Sequence, residues 1–232
     1  MSDGVALSAL DWWAEAGVDI LADDEPRNWL AATPAAAETI PASAAPAAPQ
    51  PAALPETLAA FRAFLLTDAG IPGAPQVRID ATGDPTTGIA IVVDMPEAED
   101  RASGSLLSGE VGALFDRMLG AIKLGREQIY VIPFSPTRPT TGRLGEADIR
   151  KLTPFLQHHL MLAAPRKLLL LGDAPVQALL HRPAAKAREA VHDVMIGDRQ
   201  VPTVASIHPR LVHLRRDYRA LAWADLQRFE PL

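Results

Sequence analysis

From residue 56 onward, apolar residues follow two patterns that alternate along the chain. Short, mostly apolar runs occur at 89–93, 129–132, 167–171 and 201–206. Before, between and after them, apolar residues recur every three or four positions at 56–67, 107–122, 146–163, 173–180 and 214–229. The runs predict buried strands, and the spaced patterns predict amphipathic helices. The segment 76–80 shows a weaker strand pattern.

This order of elements predicts an α/β fold. Strands that are apolar along their whole length are typical of parallel sheets whose two faces are both covered by helices. We therefore expect a three-layer α/β/α domain with a central, mostly parallel, four-stranded sheet. In such sheets, ligands bind beyond the carboxyl ends of the strands. The segments that fall there are 94–96, 133–143, 172–173 and 206–209.

The first 55 residues differ in composition from the rest of the chain. Residues 1–30 are acidic and include an amphipathic helical pattern at 5–16 that carries Trp12-Trp13. Residues 31–55 are dominated by Ala and Pro, which predicts a semi-rigid linker. The domain is therefore expected at 56–232. The Trp12-Trp13 pair is interpreted either as a docking peptide for another protein or as a segment that packs back onto the domain.

Charge is concentrated in the N-terminal part of this 232-residue chain. Residues 1–60 hold nine acidic residues and one arginine, a net charge of −8, while the whole chain carries −6, which leaves +2 for the remainder. A nearly neutral domain can still carry a basic face, so net charge does not decide whether nucleic acid is a partner. The chain has neither a leader-like pattern nor an apolar run of membrane-spanning length. We expect a cytoplasmic monomer without membrane contact.

The chain contains no cysteine, which excludes disulfides, thiolate-held zinc and cysteine-ligated iron–sulfur clusters. It also has no Walker loop, no dinucleotide glycine fingerprint after a strand and no nucleophile-elbow motif. His158 and His159 are neighbours on a predicted helix and point in different directions, so we expect surface residues and not a shared metal site. We predict neither a metal nor a cofactor.

Asp94 and His208 follow two different predicted strands and form a candidate pair for hydrolysis. A carboxylate can orient or deprotonate water, and a histidine can stabilise charge on a leaving group. In the alternative interpretation both are structural, with Asp94 capping a turn and His208 bonding the backbone. A basic run after His208 either contacts phosphates or forms a solvated helix face, and it comprises Arg210, His213, Arg215, Arg216 and Arg219.

A series of short motifs appears in a specific order between residues 58 and 229. The motifs are VDMPEAEDR at 93–101, GALFDRML at 112–119, the segment 130–143 with Arg138-Pro139, TPFL at 153–156, LG at 171–172, HP at 208–209 and LAWADL at 221–226. No single motif is specific, but their order resembles that of the bacterial, thermostable-type (fourth) family of uracil-DNA glycosylases.

The resemblance implies a reaction and assigns roles to matching residues. That family extrudes uracil from the DNA stack into a small pocket and hydrolyses its glycosidic bond. By position, Asp94 would replace the glutamate that orients water, and His208 would face the base oxygen that gains negative charge. DNA, single- or double-stranded, would be the partner. Candidate contacts to DNA are the arginines Arg138, Arg210, Arg215 and Arg216.

Pro96, Leu107 and Pro133 would line the base pocket, and the chain departs from the family at the last two of these positions and at Glu97. Pro133 stands where an asparagine reads the edge of uracil, and Leu107 stands near the position of the stacking phenylalanine. Glu97 replaces a glycine that lets the backbone approach the ligand. Two positions expected to carry cluster cysteines hold Thr137 and Leu152.

Two functions are therefore considered. The first is a divergent glycosylase that acts on uracil or another deaminated base through Asp94 and His208. The second is a catalytically degenerate module that binds DNA or another protein. A third class, a generic nucleotide-binding α/β domain, is disfavoured because the chain has no glycine-rich phosphate loop.

Overall fold

The computed structural model describes residues 54–230, which form one sheet with helices on both faces. The predictions for 5–16, for Trp12-Trp13 and for the linker up to residue 53 lie outside these residues. The strands are β1 (Thr82–Gly83), β2 (Ile89–Val93), β3 (Tyr130–Pro133), β4 (Lys167–Leu171), β5 (Val191–Ile196) and β6 (Arg199–Ser206). The helices are α1 (Leu58–Thr67), α2 (Asp100–Ser103), α3 (Gly109–Ala121), α4 (Glu146–Ala163), α5 (Asp173–Leu180), α6 (Ala184–Ala187), α7 (Pro209–Leu214) and α8 (Tyr218–Phe229).

The sheet is larger than predicted. Its strand order is β1-β3-β2-β4-β6-β5, so the predicted four-stranded sheet is wrong in strand number. The four central strands are parallel, and β1 and β5 add antiparallel edges. Strand β1 has only two residues, too few for a hydrophobic pattern. Strand β5 is half-exposed and pairs with β6 through a tight turn at Gly197, whose φ of +59° suits glycine.

Two further predicted elements are corrected. The expected strand at 76–80 is wrong, because Pro75–Val77 forms a 3₁₀ turn and the strand begins only at Thr82. A proline at the start of this turn favours it over extended pairing. The helix expected at 214–229 begins later, because Arg215 ends α7 with an extended backbone and α8 starts at Tyr218.

Apolar side chains pack on both faces of the sheet, since successive residues of a strand point to opposite faces. In β2, Val92 belongs to one buried cluster, whereas Ile91 and Val93 belong to the other. The first cluster joins the sheet to α1, α4 and α5, and the second joins it to α3 and α8. The expected α/β class is therefore confirmed, with helices on both faces of the sheet.

The prediction that both neighbouring histidines of α4 lie on the surface is wrong for His159. Its side chain is buried, and its Nε2 lies 2.9 Å from the hydroxyl of Tyr130 on β3. Burial lowers the pKa of His159 to about 4. His158 is half-exposed and bonds the carbonyl of Pro55. The two side chains point in different directions, as predicted, but that of His159 points into the core.

The carboxyl ends of the four parallel strands are in register. Val93 pairs with both Pro133 and Leu171, and Leu171 pairs with Ser206. The chain passes from β2 to β3 on one side of β2, and the next strand, β4, lies on the other side of β2. The direction in which strands are added to the sheet therefore reverses at β2. A crevice is expected at such a switch point. Within residues 54–230, no helix has the length and hydropathy needed to span a bilayer.

Candidate active site

Asp94 lies at the carboxyl end of β2, where the strand order reverses. Its side chain is largely buried, at 8% exposure, and its Oδ1 accepts a hydrogen bond of 2.9 Å from the backbone N–H of Met95. Gly172 follows the neighbouring strand β4, and its φ of +108° strongly favours glycine. A Cβ on Gly172 would lie 3.1 Å from Oδ2 of Asp94. The glycine therefore leaves room for the carboxylate.

His208 follows β6 and caps the N-terminus of α7. Its Nδ1 accepts a hydrogen bond of 3.1 Å from the backbone N–H of Arg210, which places the proton of the neutral ring on Nε2. Nε2 lies 3.4 Å from Oδ1 of Asp94 but is not aligned for a hydrogen bond. It has no hydrogen-bond partner among residues 54–230.

The imidazole of His208 is a buried, neutral donor. The ring is 1% exposed, and burial lowers its pKa to about 4, although the nearby Asp94 carboxylate raises it. At neutral pH the ring therefore presents an Nε2–H that no acceptor within residues 54–230 uses. A buried donor without an acceptor costs about 1–3 kcal/mol, so such groups often mark a functional site.

Arg210 connects the carboxylate of Asp94 to a second carboxylate, that of Glu97. Its Nη2 lies 3.1 Å from Oδ2 of Asp94, and its Nη1 lies 2.7 Å from Oε1 of Glu97. Glu97 is itself buried, and its Oε1 lies 3.6 Å from Nδ1 of His208. Burial raises the pKa of Glu97, while the cations of Arg210 and Arg138 oppose that rise.

Arg138 completes this charged cluster. Its Nη1 donates a hydrogen bond of 3.2 Å to the carbonyl of Pro96 and lies 3.7 Å from Oε2 of Glu97. The cluster thus holds two guanidinium groups, two carboxylates and one neutral imidazole. Its formal charge is close to zero when Glu97 is ionised, which offsets much of the cost of burying these groups.

A loop that begins at Glu97 is held by Asp100, a residue whose role the sequence did not reveal. Asp100 is fully buried. Its Oδ2 accepts the backbone N–H groups of Glu97 at 2.8 Å and Leu107 at 3.0 Å. Its Oδ1 accepts the backbone N–H of Ser108 at 2.7 Å and the hydroxyl of Ser108 at 2.6 Å. Its position inside the motif 93–101 was the available signal.

A cleft of about 430 Å³ opens beside Asp94 and His208. Gly142 and Arg143 approach it from the loop after β3, and Asp173 and Gln177 approach it from α5. The other lining residues are Met95, Leu144, Ile149, Gly172, Ala174, Arg210 and Leu211. The cleft lies beyond the strand ends that the sequence selected. Its lining residues Arg143, Asp173 and Gln177 were not among the candidates.

The three predicted base-pocket residues lie outside the lining of this cleft. Pro96 is buried and accepts the hydrogen bond from Arg138. Leu107 packs in the core beneath α3, at 1% exposure. Pro133 borders a separate apolar pocket of about 20 Å³, which has room for little more than a water molecule. The structure thus brings Asp94 and His208 together without these three side chains.

The four predicted DNA-binding arginines fall into two groups. Arg138 and Arg210 are half-buried in the charged cluster. Arg215 and Arg216 are exposed after α7. Arg215 pairs with Asp217 at 2.8 Å and stacks over the ring of Tyr218. Only the second group is therefore exposed to solvent.

The residues at the expected cluster positions do not fit an iron–sulfur cluster. Thr137 donates a hydrogen bond to the carbonyl of Pro72, and Leu152 is buried in the core. The segment beside them is instead held by Arg78, whose guanidinium donates to the carbonyls of Leu65, Asp68, Ile71 and Gly73. Across residues 54–230, no set of His, Asp and Glu side chains is arranged as a metal site.

Comparison with known proteins agrees with this fold. The model of the uracil DNA glycosylase superfamily matches residues 81–227, and the chain belongs to that superfamily. The type-4 uracil-DNA glycosylase of Archaeoglobus fulgidus is 22% identical over 161 residues, which cover 66% of this chain and 81% of the relative. The resemblance to the fourth family is therefore confirmed.

Proposed function

We propose that this protein hydrolyses the N-glycosidic bond of uracil or another deaminated base in DNA, as an initiating enzyme of base excision repair. The observation that carries the proposal is the facing pair of Asp94 and His208, whose Oδ1 and Nε2 lie 3.4 Å apart at the strand ends. Superfamily membership and the distant type-4 relative support the same reaction.

Each group has a defined part in the proposed reaction. The Asp94 carboxylate orients a water molecule toward C1′ of the deoxyribose and accepts its proton. A new C1′–O bond forms as the C1′–N bond breaks, and the bonding pair leaves with the base. The products are an abasic sugar and the free base, which takes up a proton. A positioned general base contributes about 10²–10⁴-fold to such a rate.

His208 supplies the complementary charge stabilisation. Its neutral Nε2–H is aimed at the site and has no acceptor among the described residues, so it is free to bond a base oxygen as negative charge develops there. Such a fixed donor stabilises the transition state more than the ground state. Removal of one comparable donor costs about 10²–10³-fold in rate.

DNA is the proposed partner. The target base must leave the stack to reach buried groups, because Asp94 and His208 are at most 8% exposed. We assign contacts with backbone phosphates to Arg143, which lines the cleft, and to Arg215 and Arg216, which are exposed. These contacts carry no base information, so they fit single- or double-stranded DNA.

A second function is favoured by specific departures from the family pattern. Pro133 offers no amide to read a base edge, and the side chain of Leu107 is buried in the core. These features suit a catalytically degenerate member that binds DNA or another protein through the same framework. This alternative predicts DNA binding without turnover.

A product assay separates the two functions. Purified full-length protein is incubated with duplex and single-stranded oligonucleotides that carry uracil, hypoxanthine or xanthine, and alkali-labile abasic sites are counted. We expect product on at least one substrate and a loss of about 100-fold or more in Asp94→Asn and His208→Gln. Arg150→Gln, on the exposed face of α4, is the matched control and should retain wild-type rates. Absence of product on every substrate would overturn the proposed reaction in favour of the binding module.

A further inference from the structure

One residue, Arg210, contacts both of the groups to which the reaction is assigned. Its side chain bonds Oδ2 of Asp94, and its backbone N–H bonds Nδ1 of His208. The two groups come from strands far apart in the chain, and no direct hydrogen bond joins them. Arg210 is thus a connection that fixes both at once.

The guanidinium of Arg210 is anchored by a second, shorter contact. Its Nη1 lies 2.7 Å from Oε1 of Glu97, and Glu97 is in turn within 3.7 Å of Arg138. The side chains of Arg210 and Glu97 are 18% and 9% exposed. A planar guanidinium with fixed N–H directions holds two carboxylates in a defined geometry better than a flexible ammonium would. The bridge is therefore largely shielded from solvent.

These contacts argue against a free, phosphate-binding role for Arg210. Its charge already faces two carboxylates, so a DNA phosphate would have to displace one of them and leave a buried anion without its cation. Loss of one partner of a buried ion pair is strongly destabilising, because the other charge stays buried without compensation. Arg215 and Arg216, which are exposed, can contact phosphates without that cost.

We propose that Arg210 is a positioning residue for the hydrolysis, which holds the Asp94 carboxylate and the His208 ring in their working geometry with Glu97 as its anchor. The inference rests on the proposed function of Asp94 and His208. Arg210 occupies Oδ2 of Asp94 and leaves Oδ1 directed toward Nε2 of His208. Arg210 thereby orients the carboxylate at Oδ2, while Oδ1 accepts the backbone N–H of Met95 and keeps a second lone pair for water.

The first test is a titration of His208, which needs no enzymatic activity. The protein is labelled with ¹⁵N-histidine, and the ring nitrogens of His208 are followed by NMR on both sides of its midpoint, from about pH 3 to 8. The groups that face this ring are Asp94, Glu97, Arg210, Arg138 and Asp100. In the wild type, the proton should reside on Nε2 of a neutral ring. A His208→Gln variant assigns the signal.

Arg210→Gln should raise the pKa of His208 by about one unit or more, because a neighbouring cation is lost and Asp94 is no longer neutralised. The proton should stay on Nε2, since the backbone N–H of residue 210 is retained. Arg210→Lys should give a smaller rise. Arg150→Gln removes an exposed arginine on α4 and should leave the titration unchanged. An Arg210→Gln protein that melts like the wild type and titrates like it would overturn the proposal.

The second test separates positioning from phosphate contact on a DNA substrate that the wild type cleaves. Under single-turnover conditions with saturating enzyme, Arg210→Gln should lower the rate constant by about 10-fold or more, with little change in Kd. Glu97→Gln should reproduce part of this loss, and Arg210→Lys should recover part of it. The opposite result would show a phosphate contact and overturn the proposal. In that case Kd rises, the slope of log K against log salt concentration falls by about one, and the rate constant is unchanged. If the wild type yields no product, the proposed function fails, and the titration alone decides whether Arg210 holds the pair.

Discussion

Replacing Asp100 by asparagine should strongly destabilise the protein, although the side chain keeps its size. The carboxylate is fully buried and accepts four hydrogen bonds, two on each oxygen, from the loop that begins at Glu97 and ends at Ser108. An amide retains only one acceptor oxygen. In one orientation its NH₂ group would face the N–H groups of Glu97 and Leu107. In the other orientation it would face the N–H and the hydroxyl of Ser108.

The magnitude follows from the number of donors left without an acceptor. Two buried donors lose their partner in Asp100→Asn, and each costs about 1–3 kcal/mol. A rearranged Ser108 hydroxyl recovers part of this, so we expect a loss of about 2–4 kcal/mol in the free energy of unfolding. That is a large fraction of the 5–15 kcal/mol by which domains of this kind are usually stable.

Urea denaturation followed by circular dichroism measures this loss, with the slope of the transition as a check that the unfolded states are comparable. Asp193→Asn, on the exposed side of β5, is the matched control and should change stability by less than about 0.5 kcal/mol. A loss below about 1 kcal/mol for Asp100→Asn would refute the assignment of the loop's stability to this carboxylate.

Three further substitutions test other parts of the structure. Gly172→Ala should lower both stability and activity, because its φ is +108° and its Cβ would press on Asp94; unfolding and product assays that both match the wild type would contradict this. Arg78→Met leaves several carbonyls without donors and should lower the midpoint of thermal unfolding by several degrees. An unchanged midpoint would show that the hydrogen bonds from Arg78 do not stabilise this segment. His159 has its pKa lowered to about 4 by burial, so the unfolded state binds more protons between pH 4 and 6.5 and stability should fall as pH falls through that window. In His159→Gln, which can still bond Tyr130, denaturation at several pH values should show a shallower fall, and an identical slope would contradict the burial argument.

The regular elements were predictable where one physical signal dominates. The strands at Ile89–Val93 and Lys167–Leu171 and the helices at Glu146–Ala163 and Asp173–Leu180 match the predicted ranges. Each is an apolar run or a 3.6-residue pattern bounded by a glycine or polar turn. The edge strand at Val191–Ile196 was missed because its half-exposed residues give a weak pattern, and its pairing depends on the turn at Gly197.

The candidate site was predictable in outline only. The sheet rule placed Asp94 and His208 at the same edge, and the structure puts their side chains 3.4 Å apart. The pairing of Arg210 with Asp94 and Glu97 joins residues 116 and 113 positions apart, and no local pattern encodes such a contact. The direction of His159 likewise depends on which face of α4 meets the sheet, a choice that two adjacent residues leave open.

Product formation on deaminated DNA tests the central claim most directly. The full-length protein, Asp94→Asn, His208→Gln and the Arg150→Gln control are compared on uracil, hypoxanthine and xanthine substrates under single-turnover conditions. We predict abasic product with the wild type and the control, and a loss of about 100-fold or more in the two site variants. Equal product from wild type and Asp94→Asn, or none from any protein on any substrate, would contradict the assignment of hydrolysis to Asp94 and His208.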